Sequence, residues 1–243
     1  MNIPVITGII RRRILLNYRV DPEVLATILP GNFRPKLVKG KAIAGICLIR
    51  MEQIRPKGLP AMMGLSSENS AHRIAVEWEE NGETREGVYV PRRDTDSCLN
   101  ALAGGRIFPG VHEHSEFTIT DEDGHIRMRV QPKGADNPLI ELDLQECDEL
   151  PADSVFESID ESSAFFEAGC IGYSSRPDSC TLDGLKLQVD NWQVSALKVE
   201  SARSSYFDNP QLFPSGTIEL DHVLLMRDIV HEWHSEPEMT AAL

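Results

Sequence analysis

The sequence predicts an α+β protein built on a curled, mostly antiparallel sheet or barrel with a few inserted helices. Three observations carry that expectation. Apolar residues recur mostly with period two, the spacing of strands. Turn dipeptides, Lys39-Gly40, Asn81-Gly82 and Asp123-Gly124, punctuate these runs. Helical spacing is confined to short stretches. The 243 residues are 41% hydrophobic and 26% charged, enough for a sizeable core. No repeat, low-complexity tract or long linker divides them, so residues 1–243 are read as a single domain.

Each element has its own local signal. Arg11 to Val20 alternates as a strand. Asp21 caps a short helix with Pro22 at its first position, and Pro30-Gly31 stops it. "NFRPKLV" and "KAIAGICLIRMEQI" are two strands turned at Lys39-Gly40; the second is apolar on both faces, as a central strand is. Arg55 to Ser70 is expected to be a loop from its Pro, Gly and Ser content. His72, Ile74, Val76 and Trp78 share one face of a hairpin that turns at Asn81-Gly82 and returns to Val90. Asp94 to Phe108 reads as a helix capped by Asp94. A second hairpin, "SEFTITDEDGHIRMRVQ", puts Ile126, Met128 and Val130 on one face and Arg127 and Arg129 on the other. "PLIELDLQEC" is a further strand, and Asp153 to Gly169 has the spacing of a helix ended by Gly169. "GLKLQVDNWQVSALKVESA" is expected as a hairpin around Asp190-Asn191, and "SGTIELDHVLLMRDIVHEW" adds one or two strands.

Charge and cysteine usage exclude several function classes. The net charge is −14, and such a surface repels phosphate backbones and anionic lipid, so neither nucleic acid nor membrane is an expected partner. The five cysteines are odd in number, widely spaced and form no CxxC. Free thiols in a reducing compartment are expected, not a disulfide framework or a structural zinc site. The first apolar run precedes its arginines, the reverse of a signal peptide, and is too short to span a bilayer. A cytoplasmic protein is expected. The sequence has no P-loop, no GxSxG and no dinucleotide fingerprint, so no cofactor is expected.

The order of segments says more than any one motif. A strand ending in "NYRVDPEVLATILPGNFRP" is followed by two strands, the segment "GLSSE", and a hairpin ending "GVYVPRRDTD". A small-residue helix, an aromatic-Pro break at Phe108-Pro109, another hairpin and the tail "FDNPQLFPSGTIELDHVLLMRDIV" come next. In this order, from about Arg11 to Trp233, the chain resembles the acetoacetate-decarboxylase-like superfamily, and more closely an uncharacterised branch than the decarboxylases themselves. The resemblance implies a cone-shaped, mostly antiparallel β-barrel with peripheral helices, a ligand pocket inside it, and a homo-oligomer. In the decarboxylases a lysine forms a Schiff base with a β-keto acid, and a second lysine beside it keeps its amine neutral. The segment that carries them falls here on Phe108-Pro109-Gly110-Val111, without either lysine. The resemblance also assigns Arg11, upstream of Tyr18-Arg19, as the arginine that clamps a ligand carboxylate. Arg13, on the same face of a regular strand, is its fallback. Glu68 is assigned as a pocket carboxylate that orients the ligand or moves a proton.

Other side chains are candidates on their own chemistry. His112 and His114 lie two apart on one strand face and could supply acid/base groups where the lysines are absent. They would bind zinc or iron only if Glu68, His72 or His125 came close, and no metal is expected. His231 and His234, three apart near the C-terminus, are read as surface residues. Lys198, on the face of Val194 and Ala196, is a better internal lysine than Lys186. Cys98 is read as a packing residue near a helix start. The function expected is binding of a small organic acid or carbonyl compound without Schiff-base decarboxylation. The alternatives are a hydratase, dehydratase or lyase using Glu68 with His112 or His114, and a non-catalytic barrel filled by its own side chains.

Overall fold

Period-two sequence becomes one thirteen-stranded sheet. The computed structural model describes residues 4–98, 110–176 and 180–241. Strands β1 (Ile6–Val20), β4 (Lys41–Pro56), β5 (Leu65–Glu80), β6 (Glu83–Thr95) and β13 (Ile218–Thr240) are the long ones. Shorter strands are β2 (Arg34–Pro35), β3 (Leu37–Val38), β7 (His112–Glu122), β8 (His125–Pro132), β9 (Ile140–Cys147), β10 (Ile171–Ser175), β11 (Thr181–Val189) and β12 (Ser195–Ser204). The described helices are α1 (Pro22–Ala26) and α2 (Ile159–Ala168), with a 3₁₀ turn at Ala61–Met63. Pairing is antiparallel except that β6 runs parallel to β7 and β10.

The sheet closes on itself twice. Strands β13, β1, β4, β5 and β6 are neighbours in that order. From β6 the pairing returns to β13 by a short way, through β10 and β11, and by a long way, through β7, β8, β9 and β12. The largest apolar cluster includes Ile14, Leu16, Leu48, Ile74, Ile126 and Val223. On the other face of β1 and β4, Leu15 and Ile43 pack with Phe156 and, from α2, Phe166. Both faces of the central strands are therefore covered, which is why β4 is apolar on both.

The expected hairpins at Asn81-Gly82 and Asp123-Gly124 form, and Lys39-Gly40 turns β3 into β4. All six turn residues take positive φ, the requirement of a tight primed turn. Other expectations are corrected. Residues 65–70 form a strand, because the polar "SSENS" side chains are buried against β4: Ser67, Glu68 and Ser70 are all buried. Asp94 caps no helix; it is a fully buried residue of β6, and the rest of the helix expected there falls mostly on residues 99–109, outside those described. The second helix begins only at Ile159, where Ser158 accepts the Glu161 N–H at 3.1 Å. Residues 184–202 are no hairpin: β11 and β12 both pair with β13, at different points along its length. Trp192 and Val194 between them are drawn into the apolar clusters instead of forming a turn.

One irregularity decides the geometry of the site. In β1, Ile10 faces Met51 and Arg12 faces Arg50, so β1 advances two residues while β4 advances one. Arg11 is the extra residue of this β-bulge. The bulge reverses the alternation, so Ile10, Arg13 and Leu15 look to one face, and Arg12, Ile14 and Leu16 to the other.

Candidate functional site

Three consecutive arginines point three ways. Arg11 lies at the half-exposed edge of the bulge, paired with Glu52 at 2.8 Å and Asp228 at 2.9 Å. Arg12 is buried, and its Nη2 donates to both carboxylate oxygens of Glu68 at 3.0 Å; Asp121 lies 3.5 Å from its Nη1. Arg13 turns to the opposite face and lines a cavity of about 110 Å³ inside the shorter circuit of strands. At about 30 Å³ per liquid water molecule, that is the space of three to four waters, the size class of a small organic acid.

The cavity walls are Ile49 and Met51 of β4, Val90 of β6, Leu187 of β11 and Trp233 of β13. Its charged groups come from neighbouring strands: Arg13 from β1, Arg73 from β5, and Arg93 and Asp94 from β6. None of the three arginines has a carboxylate among its described partners. Arg13 Nε donates to Cys47 Sγ at 3.3 Å, and its guanidinium lies 5.4 Å from the Trp192 ring centre. Arg73 is 4% exposed, donates from Nη2 to Asn17 Oδ1, and stacks on Phe166 at 4.5 Å. Its Nε and Nη1 have no hydrogen-bond partner among the described residues. Arg93 donates to Ser174 Oγ at 3.2 Å, and its Nε has no partner among the described residues. Burial pushes both Arg73 and Arg93 down to about 10, so both remain cations at neutral pH. The lining acid, Asp94, is already engaged: Arg92 donates to it at 2.9 and 3.1 Å, and Ser115 at 3.0 Å.

A buried polar chain behind Arg73 holds it in place. Asn17 Nδ2 lies 3.1 Å from His222 Nε2, Ser162 Oγ lies 2.6 Å from the same nitrogen, and His222 Nδ1 lies 2.6 Å from Asp221. The Ser–His–Asp order is that of a hydrolase triad, but Ser162 is fully buried and two donors already point at Nε2. The arrangement positions Asn17 and, through it, Arg73.

The candidate residues from the sequence divide between these surroundings. Arg11 and Glu68 do not meet; Arg12 takes Glu68, because the bulge breaks the strict alternation that put Arg11 and Arg13 on one face. Glu68 is not among the cavity-lining residues, although Asn69 and Ser70 next to it are. Burial pushes its carboxyl up, against the opposing pull of Arg12. Of the two histidines, His112 lines the cavity and His114 does not; His114 Nε2 lies 3.5 Å from Cys98 Sγ. Burial, reinforced by Arg93, pushes His112 down to about 4, so its imidazole is neutral at pH 7. His231 is buried, not a surface residue. Lys198 faces solvent beside Glu200, and Lys186 is also exposed. Among the described residues no three His, Cys, Asp or Glu side chains converge as a metal-ligand set, and all five cysteines are free thiols.

Sequence reading missed Arg73, Arg93 and Cys47. A signal for Arg73 was present: its neighbours on that face, Ala71 and Ala75, are small and apolar, the mark of a strand buried on both faces. Gly110, in the segment matched to the decarboxylase lysines, lies beside Arg93 of the cavity. A Cβ on Gly110, whose φ is +85°, would lie 2.9 Å from the Ser174 Cβ and 3.5 Å from Arg93 Nε. The space beside position 110 is held by an arginine from β6. None of the seven lysines of the chain lines the cavity.

Comparison with known proteins agrees with this architecture. Acetoacetate decarboxylase from Legionella pneumophila superposes with a TM-score of 0.62 at 16% identity, covering 99% of this chain and 90% of that one. The enduracididine biosynthesis enzyme MppR, in its complex with pyruvate, gives 0.61 at 9% identity, covering 98% and 90%. An acetoacetate decarboxylase-like enzyme from Sphingomonas wittichii gives 0.57 at 14% identity, covering 100% and 93%. At these identities the likeness establishes the fold alone. No curated protein matches the chain in sequence. The family model of the uncharacterised conserved proteins called DUF2071 matches residues 9–227. The chain therefore belongs to the DUF2071 family and has the acetoacetate-decarboxylase-like fold.

Proposed function

We propose that the cavity binds a small organic acid, with a carbonyl acid such as pyruvate or acetoacetate as the model ligand, and does so without Schiff-base chemistry. The observation that carries this reading is the cluster of Arg13, Arg73 and Arg93 around one cavity with no carboxylate partner among the described residues. A guanidinium presents a planar fork of donors that matches a carboxylate. Buried cations without counter-charge are costly, and an anionic ligand offsets that cost. The cavity size suits such an acid, and MppR, which shares the fold, is complexed with pyruvate. Arg13, the fallback arginine of the sequence reading, takes the role first given to Arg11. A homo-oligomer in the cytoplasm belongs to the same proposal.

The neutral His112 imidazole on the cavity wall favours a second reading, a lyase-type enzyme in which His112 moves a proton of the bound acid. Glu68, tied to Arg12, would act there only through its strand neighbours.

Borohydride trapping with acetoacetate and pyruvate, read by intact mass, tests the chemistry. No adduct is expected, while an authentic decarboxylase run in parallel is labelled. A stable adduct on any lysine contradicts the proposal.

A further inference from the structure

Two cysteines face the cavity, held in opposite hydrogen-bonding senses. Cys170 Sγ donates to the Glu167 carbonyl of α2 at 2.7 Å, and burial raises its thiol. Cys47 is a hydrogen-bond acceptor, with Arg13 Nε 3.3 Å from its Sγ. It sits in the middle of β4, paired with Leu15 on one side and Ala71 on the other, so the two ladders fix its direction into the cavity. Arg73 and Arg93 line the same cavity. One guanidinium touches the sulfur, and two more line the cavity it faces. A separate observation points to a ligand at the same place: Arg73, 4% exposed, lines this cavity with two nitrogens unpartnered among the described residues.

We propose that Cys47 is a nucleophile that adds reversibly to the carbonyl carbon of an oxo acid whose carboxylate is held by Arg13 and Arg73. This inference rests on the acid-binding reading above. The thiolate is the attacking form of cysteine, and Arg13 Nε is aimed at this sulfur. The sulfur lone pair forms the C–S bond and the carbonyl π pair moves onto oxygen. The proton released by the thiol ends on that oxygen, giving a thiohemiketal. The addition consumes no oxidant or reductant. Arg93, across the cavity from β1, is a fixed cation for the negative charge that develops on the oxygen. Cys170 is the internal control, because its proton is committed to a helix carbonyl.

Competing alkylation with iodoacetate and iodoacetamide, followed by peptide mapping, tests this on the full chain. In either reagent the C–S bond forms as iodide leaves with the bonding pair, and the thiol proton passes to solvent. Cys47 is expected to react about tenfold faster with the anionic reagent than with the neutral one, as steering by the arginines requires. The exposed Cys180 should show no such preference, and pyruvate should protect Cys47 alone. With [2-13C]pyruvate, a thiohemiketal resonance is expected in the native protein and none in Cys47→Ser. A neutral-reagent preference at Cys47, or identical carbon spectra for the two proteins, overturns the inference. If Cys47→Ser and the native protein still bind pyruvate by calorimetry in that case, the acid-binding reading stands without it. If the native protein binds no pyruvate, both fall.

Discussion

Two arginine environments lie back to back across β1, one around the buried Arg12 and one around the half-buried Arg13. Arg12 is matched: both oxygens of Glu68 accept from it, and Asp121 stands nearby. On the opposite face Arg13 and Arg73 are unmatched, holding a sulfur and an amide oxygen where acids would be expected. The chain is not short of acids, with 38 against 24 basic residues. Leaving guanidiniums unmatched in a cavity is therefore a property of that site and not of composition. The matched pair contributes to the fold. The unmatched set costs stability in the free protein and becomes useful when an anion arrives.

The largest expected effect comes from turning the matched environment into an unmatched one. Glu68→Ala leaves Arg12 buried with only the more distant Asp121 and should lower unfolding stability by about 3 kcal/mol in a denaturant titration. Organic acids should not restore it, because Arg12 does not face the cavity. Arg73→Met, which removes a cation that has no acid partner, should cost clearly less in the same titration; an equal loss would erase the distinction.

Next in size is a pH effect. His72 is fully buried, packs against the Tyr206 ring at 4.7 Å, and has no hydrogen-bond partner at either ring nitrogen among the described residues. Burial pushes it down from 6.5 to about 3. The folded chain thus disfavours the protonated ring, so the stability that His72 carries is complete above pH 6.5 and is lost as pH falls toward 3. His112 and His231, both pushed down to about 4, act in the same direction. His72→Phe keeps the packing and should gain about 2 kcal/mol on the native protein at pH 5 relative to pH 7.5, measured as the change in unfolding free energy. Parallel curves for the two proteins would show that the ring is hydrated.

The smallest expected effect is at Arg11. Its partners Glu52 and Asp228 are at the surface, so Arg11→Ala should barely move the melting temperature and should leave pyruvate affinity within about twofold. A large loss of affinity would return Arg11 to the site.

Much of the fold was legible in the sequence because its signals are local. Asn81-Gly82 and Asp123-Gly124 announce their turns through backbone conformation alone. The returning strand of the second hairpin alternates as expected, with Ile126, Met128 and Val130 buried. The site was less legible because it depends on a single inserted residue. Nothing in "RRR" marks Arg11 as a bulge; the shift exists only in the pairing with β4. That shift sends Arg12 to Glu68 and Arg13 to the cavity. Likewise "GLSSENS" has loop composition, and only the register against β4 shows Glu68 in the middle of a strand. Arg93 was hidden by distance: the segment matched to the family's lysines is at Gly110, while the cation beside it comes from β6.

Calorimetric titration with pyruvate and with its uncharged amide, on the native protein and on Arg13→Met, tests the central claim most directly. Pyruvate should bind and the amide should not, and Arg13→Met should weaken pyruvate binding at least tenfold, as loss of a charged hydrogen bond implies. Equal binding of acid and amide, or an affinity unchanged in Arg13→Met, would contradict an anion site built from unmatched arginines.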